Sequence, residues 1–308
     1  MAIQAVQPQV IQPRRPLSWS TIAIYVVLTL GAIIAVIPFI YMLTTSVKSY
    51  GSLIAGNLWP WAPLGTEPVQ WINYPDAIQQ IGFDKQWQMP MFFRYTINSA
   101  IVTLGVVAGV SLTSVLAGYA FAQMDIPGKN ILFVLLLATI MIPGDLTIVP
   151  KAVMMYQFPN PFGSGSWYNT YLALIVPFLA SVFGIFLLRQ FFMQIPKDLF
   201  DAAVIDGAGH VRYLFRIVLP LSRPALVSVA LLNFIWTWDS FKWPLLVTRD
   251  SNMRVLAVGL QQFLVGEGGT KTHLMMAFSS MVIVPVIVFY FFTQKYFTEG
   301  ITTTGLKG

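Results

Sequence analysis

The stretch IPKDLFDAAVIDGAGHVRYLFRIVLPLSRP, residues 195–224, lies between two long apolar runs and shows how the chain is organised. It predicts two short helices joined by a sharp turn, with Pro196 in the first turn of the first helix, where a missing backbone N–H costs nothing. Gly207 follows that helix, and a lone glycine at this place is typical of a left-handed C-terminal stop. Pro220 is predicted to end the second helix, and Pro224 to begin the next one.

The two predicted helices carry different faces. In the first, four residues at helical spacing make one small, shallow face: Leu199, Ala202, Ala203 and Asp206. In the second, an apolar stripe repeats at i, i+3, i+4 and i+7: Val211, Leu214, Phe215 and Val218. An amphipathic hairpin lying on the membrane surface explains the stripe, whereas the paired alanines favour close approach by another protein's backbone. The pattern alone leaves both interpretations open.

The whole chain has the composition of an integral membrane protein. Of its 308 residues, 56% are hydrophobic and 10% are charged, and the mean hydropathy is +0.69. A soluble domain carries about 25% charged residues. The formal net charge of +6 is spread between apolar runs and forms no basic face, which argues against nucleic acid as a partner. Without cysteine, the chain has no disulfide framework and no thiolate metal site.

Six stretches are long and apolar enough to cross a bilayer, whose core of about 30 Å needs about 20 helical residues. They are residues 21–43, 98–121, 130–150, 170–192, 225–247 and 274–292. The third is interrupted at 142–146, where Pro143 and Gly144 predict a kink or a break. We therefore predict an all-α integral membrane protein with six transmembrane helices. A disordered cytoplasmic tail, residues 1–20, precedes a single transmembrane domain, residues 21–308.

Lysine and arginine set the predicted orientation. With the N-terminus inside, the inner segments hold more of these residues than the outer segments, and Lys242 is left within a span. Segment 189–223 contributes most to this difference. Because cytoplasmic segments carry the excess of positive charge, both termini and residues 195–224 are predicted to face the cytoplasm.

Residues 195–224 resemble the cytoplasmic EAA loop of bacterial ABC importer permeases, particularly of the carbohydrate-uptake branch and of the shorter permease of maltose-type importers. The positions that match in register are Ile195, Pro196, Leu199, Ala202, Ala203, Ile205, Asp206, Gly207, Ala208, Phe215, Ile217, Leu219, Pro220, Leu221 and Pro224. Asp198 and Asp201 stand where the family has glutamate, which keeps the charge on a shorter side chain. The segments FIWTWDSFKWPLL, residues 234–246, and EGITTTGLKG, residues 299–308, resemble other parts of these permeases.

The resemblance implies a type I ABC importer permease fold in a bacterial-type inner membrane, with a coupling helix seated in a cleft of an ATP-binding subunit. It assigns contacts with that subunit to Asp201, Ala202, Ala203, Asp206, Gly207, Ala208, Phe215, Gly305 and Lys307. Besides membrane lipid, the implied partners are a second, homologous permease chain, two ATP-binding subunits and an extracytoplasmic solute-binding protein. ATP and magnesium would then be bound by a partner, so this chain would be neither an enzyme nor a cofactor-binding protein. The solute implied by the resemblance is a carbohydrate or a related polyol.

Two charges interrupt the fifth apolar stretch. Asp239 and Lys242 lie three residues apart, so on a helix they share a face and can pair. Either one alone would cost about 2.5–3.5 kcal/mol at the centre of a span. We predict either that they form an ion pair buried against neighbouring helices or that they line the solute path. Trp238 and Trp243 lie nearby and either stack on a sugar in that path or pack between helices, which is the commoner role of tryptophan. Asp145, beside the predicted break of the third stretch, is expected near the outer surface.

Other features of the sequence bear on rival functions. The segment GEGGT, residues 266–270, lacks the Lys-Ser/Thr that follows in a nucleotide-binding loop and predicts a flexible outer loop. His210, which is expected to be exposed, and His273 lie on opposite predicted sides of the membrane and cannot share a metal. An ion-gradient-driven transporter, with Asp239 as a coupling acid, is one alternative, and a membrane-embedded enzyme is another. The EAA-like segment argues against the first alternative. The spans hold no paired carboxylates, activated nucleophile or histidine cluster to support the second.

Overall fold

The computed structural model describes residues 18–57, 68–163, 165–264 and 271–305, with side chains described up to residue 295. The helices in chain order are α1 (Trp19–Ser46), α2 (Tyr50–Ile54), α3 (Asn73–Gln80), α4 (Met91–Gln123), α5 (Lys129–Ala138), α6 (Gly144–Gln157), α7 (Tyr171–Ile175), α8 (Val182–Phe192), α9 (Asp198–Ile205), α10 (His210–Tyr213), α11 (Leu219–Leu221), α12 (Arg223–Trp238), α13 (Lys242–Val247), α14 (Leu256–Gly259) and α15 (Thr272–Gly305). A short antiparallel hairpin, β1 (Phe83–Asp84) and β2 (Met89–Pro90), precedes α4.

Within the described residues, three helices are long and apolar enough to cross a membrane unbroken: α1, α4 and the Thr272–Lys295 part of α15. The Ser18 hydroxyl accepts a hydrogen bond from the backbone N–H of Thr21 and so caps the start of α1. Most α1 side chains are exposed, as expected of a helix that faces lipid, and α1 packs against α15. The prediction of an all-helical membrane protein with six spans is confirmed, since bent helix pairs bring the number of candidate spans to as many as six.

The remaining spans are broken. The axis bends by 94° between Lys129–Met141 and Gly144–Gln157, which confirms the predicted break at Pro143. The axis also bends, by 40°, between Tyr171–Phe178 and Val182–Phe192. The fifth predicted stretch is not one helix either, because α12 ends at Trp238 and α13 begins only at Lys242.

The centre of the molecule is α4, which packs against α8 and α12, while α12 also packs against α15. Small residues bring α4 and α8 close together. A Cβ atom on Gly118 of α4 would lie 3.2 Å from Leu188 Cβ, and one on Gly184 of α8 would lie 2.5 Å from the Ser114 hydroxyl oxygen. Because neither site has room for a side chain, α4 and α8 form a tightly fitted pair.

A buried polar network fixes the first turns of α4. Arg94 Nε donates to the backbone oxygen of Asn252 at 3.0 Å, and its guanidinium carbon lies 3.7 Å from the centre of the Trp87 ring. Asp84 is 3.6 Å from the same guanidinium group. Asn98 Nδ2 donates to the backbone oxygens of Asn252 and Arg254, both at 2.8 Å. The β1–β2 hairpin and the segment before α14 are therefore tied to one end of α4.

Candidate coupling hairpin and solute path

Residues 195–222 form a hairpin whose turn is made at Gly207. This residue has φ +76°, the left-handed conformation that was predicted. Its N–H donates to the Val204 carbonyl at 2.9 Å, and the Ala208 N–H donates to the Ala203 carbonyl at 2.8 Å. These two bonds together are a Schellman motif, which satisfies the free carbonyls at the end of α9. A Cβ at Gly207 would meet no atom of this chain within 4 Å, so a side chain there is opposed by the backbone conformation alone.

The small face predicted for the first helix is wrong in one respect. Ala203 is 5% exposed and packs into the core of this chain, whereas Ala202 is exposed. Ala202 and Ala203 are adjacent in the helix, and the side chains of adjacent helical residues point about 100° apart, so the two cannot lie on the same face. The helix also begins at Asp198, two residues after Pro196. Ile205, which the pattern did not single out, is 86% exposed and adjoins the turn.

The predicted stripe of the second helix is also wrong in part. Leu214 and Val218 are buried, whereas Val211 and Phe215 are exposed. The cause is a π-helical turn at Leu214–Val218, which widens the repeat beyond 3.6 residues and breaks the predicted register. Pro220 does not end the helix, as was predicted. It lies within α11, two residues before the 80° bend at which α12 begins.

An aromatic cluster fixes the hairpin to α4. The His210 ring stacks on Phe200 with ring centres 4.7 Å apart, and its Nδ1 lies 2.8 Å from the Tyr119 hydroxyl oxygen on α4. Phe200 also meets Tyr213 edge-on at 5.1 Å. His210 is exposed, as predicted, but its ring is held in place by these contacts. The hairpin is thus a preformed element with a polar and an aromatic connection to the central helix.

The outer surface of the hairpin is apolar and basic. Leu199, Val204, Ile205, Val211 and Phe215 are exposed apolar residues within or beside it. Arg212 and Arg216 line the adjoining clefts, one of which Gly207, Gly209 and Phe215 also line. Asp201 and Asp206 are exposed, and Ala208 is half-buried behind the turn. Such a surface is unusual for a segment in water and typical of a contact with another protein or with the membrane surface.

The ion pair predicted within the fifth stretch is wrong in its partner. Lys242 Nζ lies 3.1 Å from both carboxylate oxygens of Asp145 at the start of α6, not beside Asp239. Asp239 and Lys242 do not share a helical face, because residues 239–241 separate α12 from α13. The side chains of Lys242 and Asp145 are 69% and 75% exposed, so the pair is not buried either.

Both tryptophans predicted near the solute path take part in packing between helices. Trp238 is buried and its Nε1–H donates to the Val282 carbonyl of α15 at 3.0 Å. Trp243 is buried and donates to the Ala173 carbonyl of α7 at 2.9 Å. A role for them in the path stays a prediction.

Two sequence predictions fall at or beyond the limits of the described chain. The backbone of α15 reaches Gly305, whereas Lys307 lies outside the described residues. The glycine-rich segment 266–270 lies outside them as well.

Comparison with known proteins gives one consistent result. The family described as "Binding-protein-dependent transport system inner membrane component" matches residues 88–303. An arabinooligosaccharide transport system permease protein of Halalkalibacterium halodurans is 34% identical over 218 residues, covering 71% of this chain and 75% of that protein. An sn-glycerol-3-phosphate transport system permease protein of Pectobacterium atrosepticum is 31% identical over 206 residues, covering 67% of this chain and 71% of that protein.

Solved structures show the same fold. The chain matches part of a bacterial ABC transporter that imports the acidic polysaccharide alginate, with a TM-score of 0.70 and 23% identity. The match covers 90% of this chain and 95% of the other. A structure of a bacterial alginate ABC transporter with a periplasmic protein that holds an alginate pentasaccharide matches with a TM-score of 0.51 and 18% identity, over 72% of this chain and 85% of that chain.

Proposed function

This chain belongs to the family of inner-membrane components of binding-protein-dependent transport systems, and we propose that it moves a carbohydrate or a related polyol through a path shared with a second permease chain. It is a multi-pass membrane permease of an ABC importer rather than an ion-gradient-driven transporter or a membrane enzyme. Support for a carbohydrate comes from relatives whose names specify arabinooligosaccharides and sn-glycerol-3-phosphate.

The observation that carries the proposal is the preformed hairpin with its exposed apolar surface. In the proposed complex, α9 and the Gly207 turn enter a cleft of an ATP-binding subunit. Exposed Ala202 and Ile205 approach that subunit, and Asp201 and Asp206 meet its basic groups. Ala203 and Ala208 act from behind, where they hold the turn against the chain's own core. Phe215 covers the flank of the contact.

The other proposed partners are the remaining subunits of a binding-protein-dependent transport system, the family to which this chain belongs. Two ATP-binding subunits bind ATP and magnesium and hydrolyse the ATP, while this permease binds no cofactor. A solute-binding protein delivers the solute from outside, and a second, homologous but different permease chain closes the path. Both termini face the cytoplasm, and the tail precedes a single domain that begins with α1 at Trp19 rather than at residue 21. Gly305 and Lys307 approach the ATP-binding subunit.

The proposed path runs beside the broken end of α12. Lys242 and Asp239 are exposed in this chain, where a second permease chain or water would cover them. Trp238 and Trp243 hold α12 and α13 in place through their buried N–H groups. Charged residues within spans are tolerated where they face protein or a water-filled cavity, which is what a solute path provides.

Reconstitution tests the proposal directly. The complex is purified from its native membrane, its subunits are identified, and it is placed in proteoliposomes with radiolabelled arabinotriose and the co-purified binding protein. We expect ATP-dependent, vanadate-sensitive uptake that continues when ion gradients are collapsed. Uptake of labelled sn-glycerol-3-phosphate with no uptake of arabinotriose would reject a neutral carbohydrate as the solute. A preparation without an ATP-binding subunit would reject the role proposed for the hairpin.

A further inference from the structure

We propose that the Asp145–Lys242 ion pair is a hydroxyl-binding site that contacts the solute within the path. This inference rests on the proposed function, because it assigns one step of that path to two side chains. An exposed lysine or aspartate does not by itself indicate a binding site. What points to a site is their position at two helix breaks that face each other, one between α5 and α6 and the other between α12 and α13.

The two breaks lie at similar depth in the membrane. From its cytoplasmic end, α12 has 16 residues, and at a rise of 1.5 Å per residue it is about 24 Å long. The 10 residues of α5 and the 3 of the following 3₁₀ turn span about 21 Å by their respective rises. The bilayer core is about 30 Å thick. Both breaks, and the ion pair between them, are therefore placed in its outer half and below the headgroups.

Lipid is an unfavourable medium for this pair. Both side chains are more than two-thirds exposed in this chain, yet charges and interrupted helices at this depth almost always lie against protein or a water-filled cavity. Exposed apolar residues such as Met141 and Leu146 lie next to the first break and can meet lipid or the second permease. The charged pair therefore marks a polar opening among apolar surfaces.

The chemistry of the pair suits hydroxyl groups. Two N–H bonds of the Lys242 ammonium group are occupied by the two Asp145 oxygens, each at 3.1 Å, which leaves one N–H to donate. The carboxylate keeps lone pairs that accept hydrogen bonds. Adjacent hydroxyls of a sugar can donate to Asp145 and accept from Lys242 at the same time. A neutral polyol uses both groups.

The alternative is that the ion pair only joins α6 to α13. Cysteine substitution separates the two roles, because the natural chain contains no cysteine. Lys242→Cys and Asp145→Cys are made in the complete importer in nanodiscs and treated with a water-soluble trimethylammonium thiosulfonate. Val134→Cys is the control, since Val134 is 63% exposed on α5 and is expected to face lipid. We expect both test cysteines to react at least ten times faster than the control, and arabinotriose delivered by the binding protein to slow them.

Failure to label either test cysteine, or labelling that arabinotriose does not slow, would overturn the proposal. The doubly exchanged protein Asp145→Lys with Lys242→Asp gives a second test, because it keeps an ion pair but reverses its donor and acceptor. We expect it to assemble and to lose most uptake, whereas near-normal uptake would show that the pair only joins the helices. Uptake by the unaltered importer is measured first. Its absence would count against arabinotriose as the solute of the proposed function, while normal uptake with unreactive cysteines would reject only this site.

Discussion

The turn of the hairpin of residues 195–222 is closed by contacts between near neighbours, whereas the helix breaks before α6 and before α13 are joined by an ion pair between residues 97 positions apart. The Gly207 turn closes with two backbone hydrogen bonds that stay within six residues. Within the hairpin, Phe200 stacks on His210. His210 also contacts the Tyr119 hydroxyl, which ties the hairpin to α4. At the breaks, α6 and α13 instead expose charged side chains and leave the backbone interrupted.

This difference suits two tasks. A rigid hairpin that is tied to α4 through Tyr119 can pass a partner's movement to that helix without deforming. A long-range ion pair can open when α6 and α13 move apart, since no covalent or local constraint holds them together. We infer that the hairpin transmits movement and that the breaks respond to it.

The largest effect is expected from Ile205→Asp. It places a charge on the most exposed apolar residue of the hairpin, at a surface that we propose is buried by the ATP-binding subunit, where an unpaired charge is costly. The amount of ATP-binding subunit that co-purifies should fall at least about tenfold, which corresponds to about 1.4 kcal/mol. Ile54→Asp is the matched control, because Ile54 is 69% exposed on α2, away from the hairpin. Equal losses in both variants would mean that the effect is not specific to the hairpin.

A smaller effect is expected from breaking the ion pair. Lys242→Leu leaves Asp145 without its partner, and adding Asp145→Asn should restore part of the thermal stability of the purified complex. The coupling free energy should be about 0.5–1 kcal/mol, as for exposed pairs. Adding Asp239→Asn instead should restore nothing. If Asp239→Asn restored stability and Asp145→Asn did not, the partner of Lys242 would be Asp239, which would contradict the contact between Lys242 and Asp145.

The smallest effect is expected from Tyr119→Phe. Removing the hydroxyl that bonds to His210 loses about 1 kcal/mol of hydrogen-bond energy. Because about 1 kcal/mol corresponds to a factor of about five, the amount of solute transported per ATP hydrolysed should fall by about two- to fivefold. Tyr213→Phe is the control. The Tyr213 hydroxyl is buried in the same cluster and has no hydrogen-bond partner in the described part of the chain. Similar transport ratios for the two variants would argue against a mechanical role for the Tyr119–His210 contact.

The sequence predicted well what depends on local bonds. The Gly207 turn and the break at Pro143 were both readable, because glycine and proline change the backbone where they stand. The burial of Ala203 in this chain's own core could not be predicted from the sequence, because a small residue fits a core and a partner's groove equally well. The π-helical turn escaped a search at 3.6 residues per turn, although Pro220, which cannot donate to a preceding carbonyl, gave a signal for irregularity.

Contacts between distant segments were beyond the pattern. Lys242 had a plausible acid three residues away, and nothing in the spacing indicated that Asp145 would take its place. Pro244, whose ring opposes a helical carbonyl at Ser240, was a signal in the sequence that the helix would be interrupted. The Tyr119–His210 contact likewise joins residues 91 positions apart. Resemblance to a family supplied the fold, while these particular side-chain contacts required the three-dimensional structure.

The most direct test of the central claim is transport by the Gly207→Val importer, expressed as arabinotriose taken up per ATP hydrolysed. Valine opposes the left-handed turn by about 1–2 kcal/mol, a factor of about 5–30 in the population of the docked hairpin. Gly209→Val is the control, because Gly209 has an extended backbone, φ −81° and ψ 173°, and open space around its Cβ position. We expect Gly207→Val to enter the membrane normally and, because a fivefold loss of docked hairpin leaves about one-fifth, to lose at least about four-fifths of its coupled uptake. Gly209→Val should retain most of its coupled uptake. Normal coupled uptake by Gly207→Val would contradict the claim that this hairpin transmits ATP-driven movement.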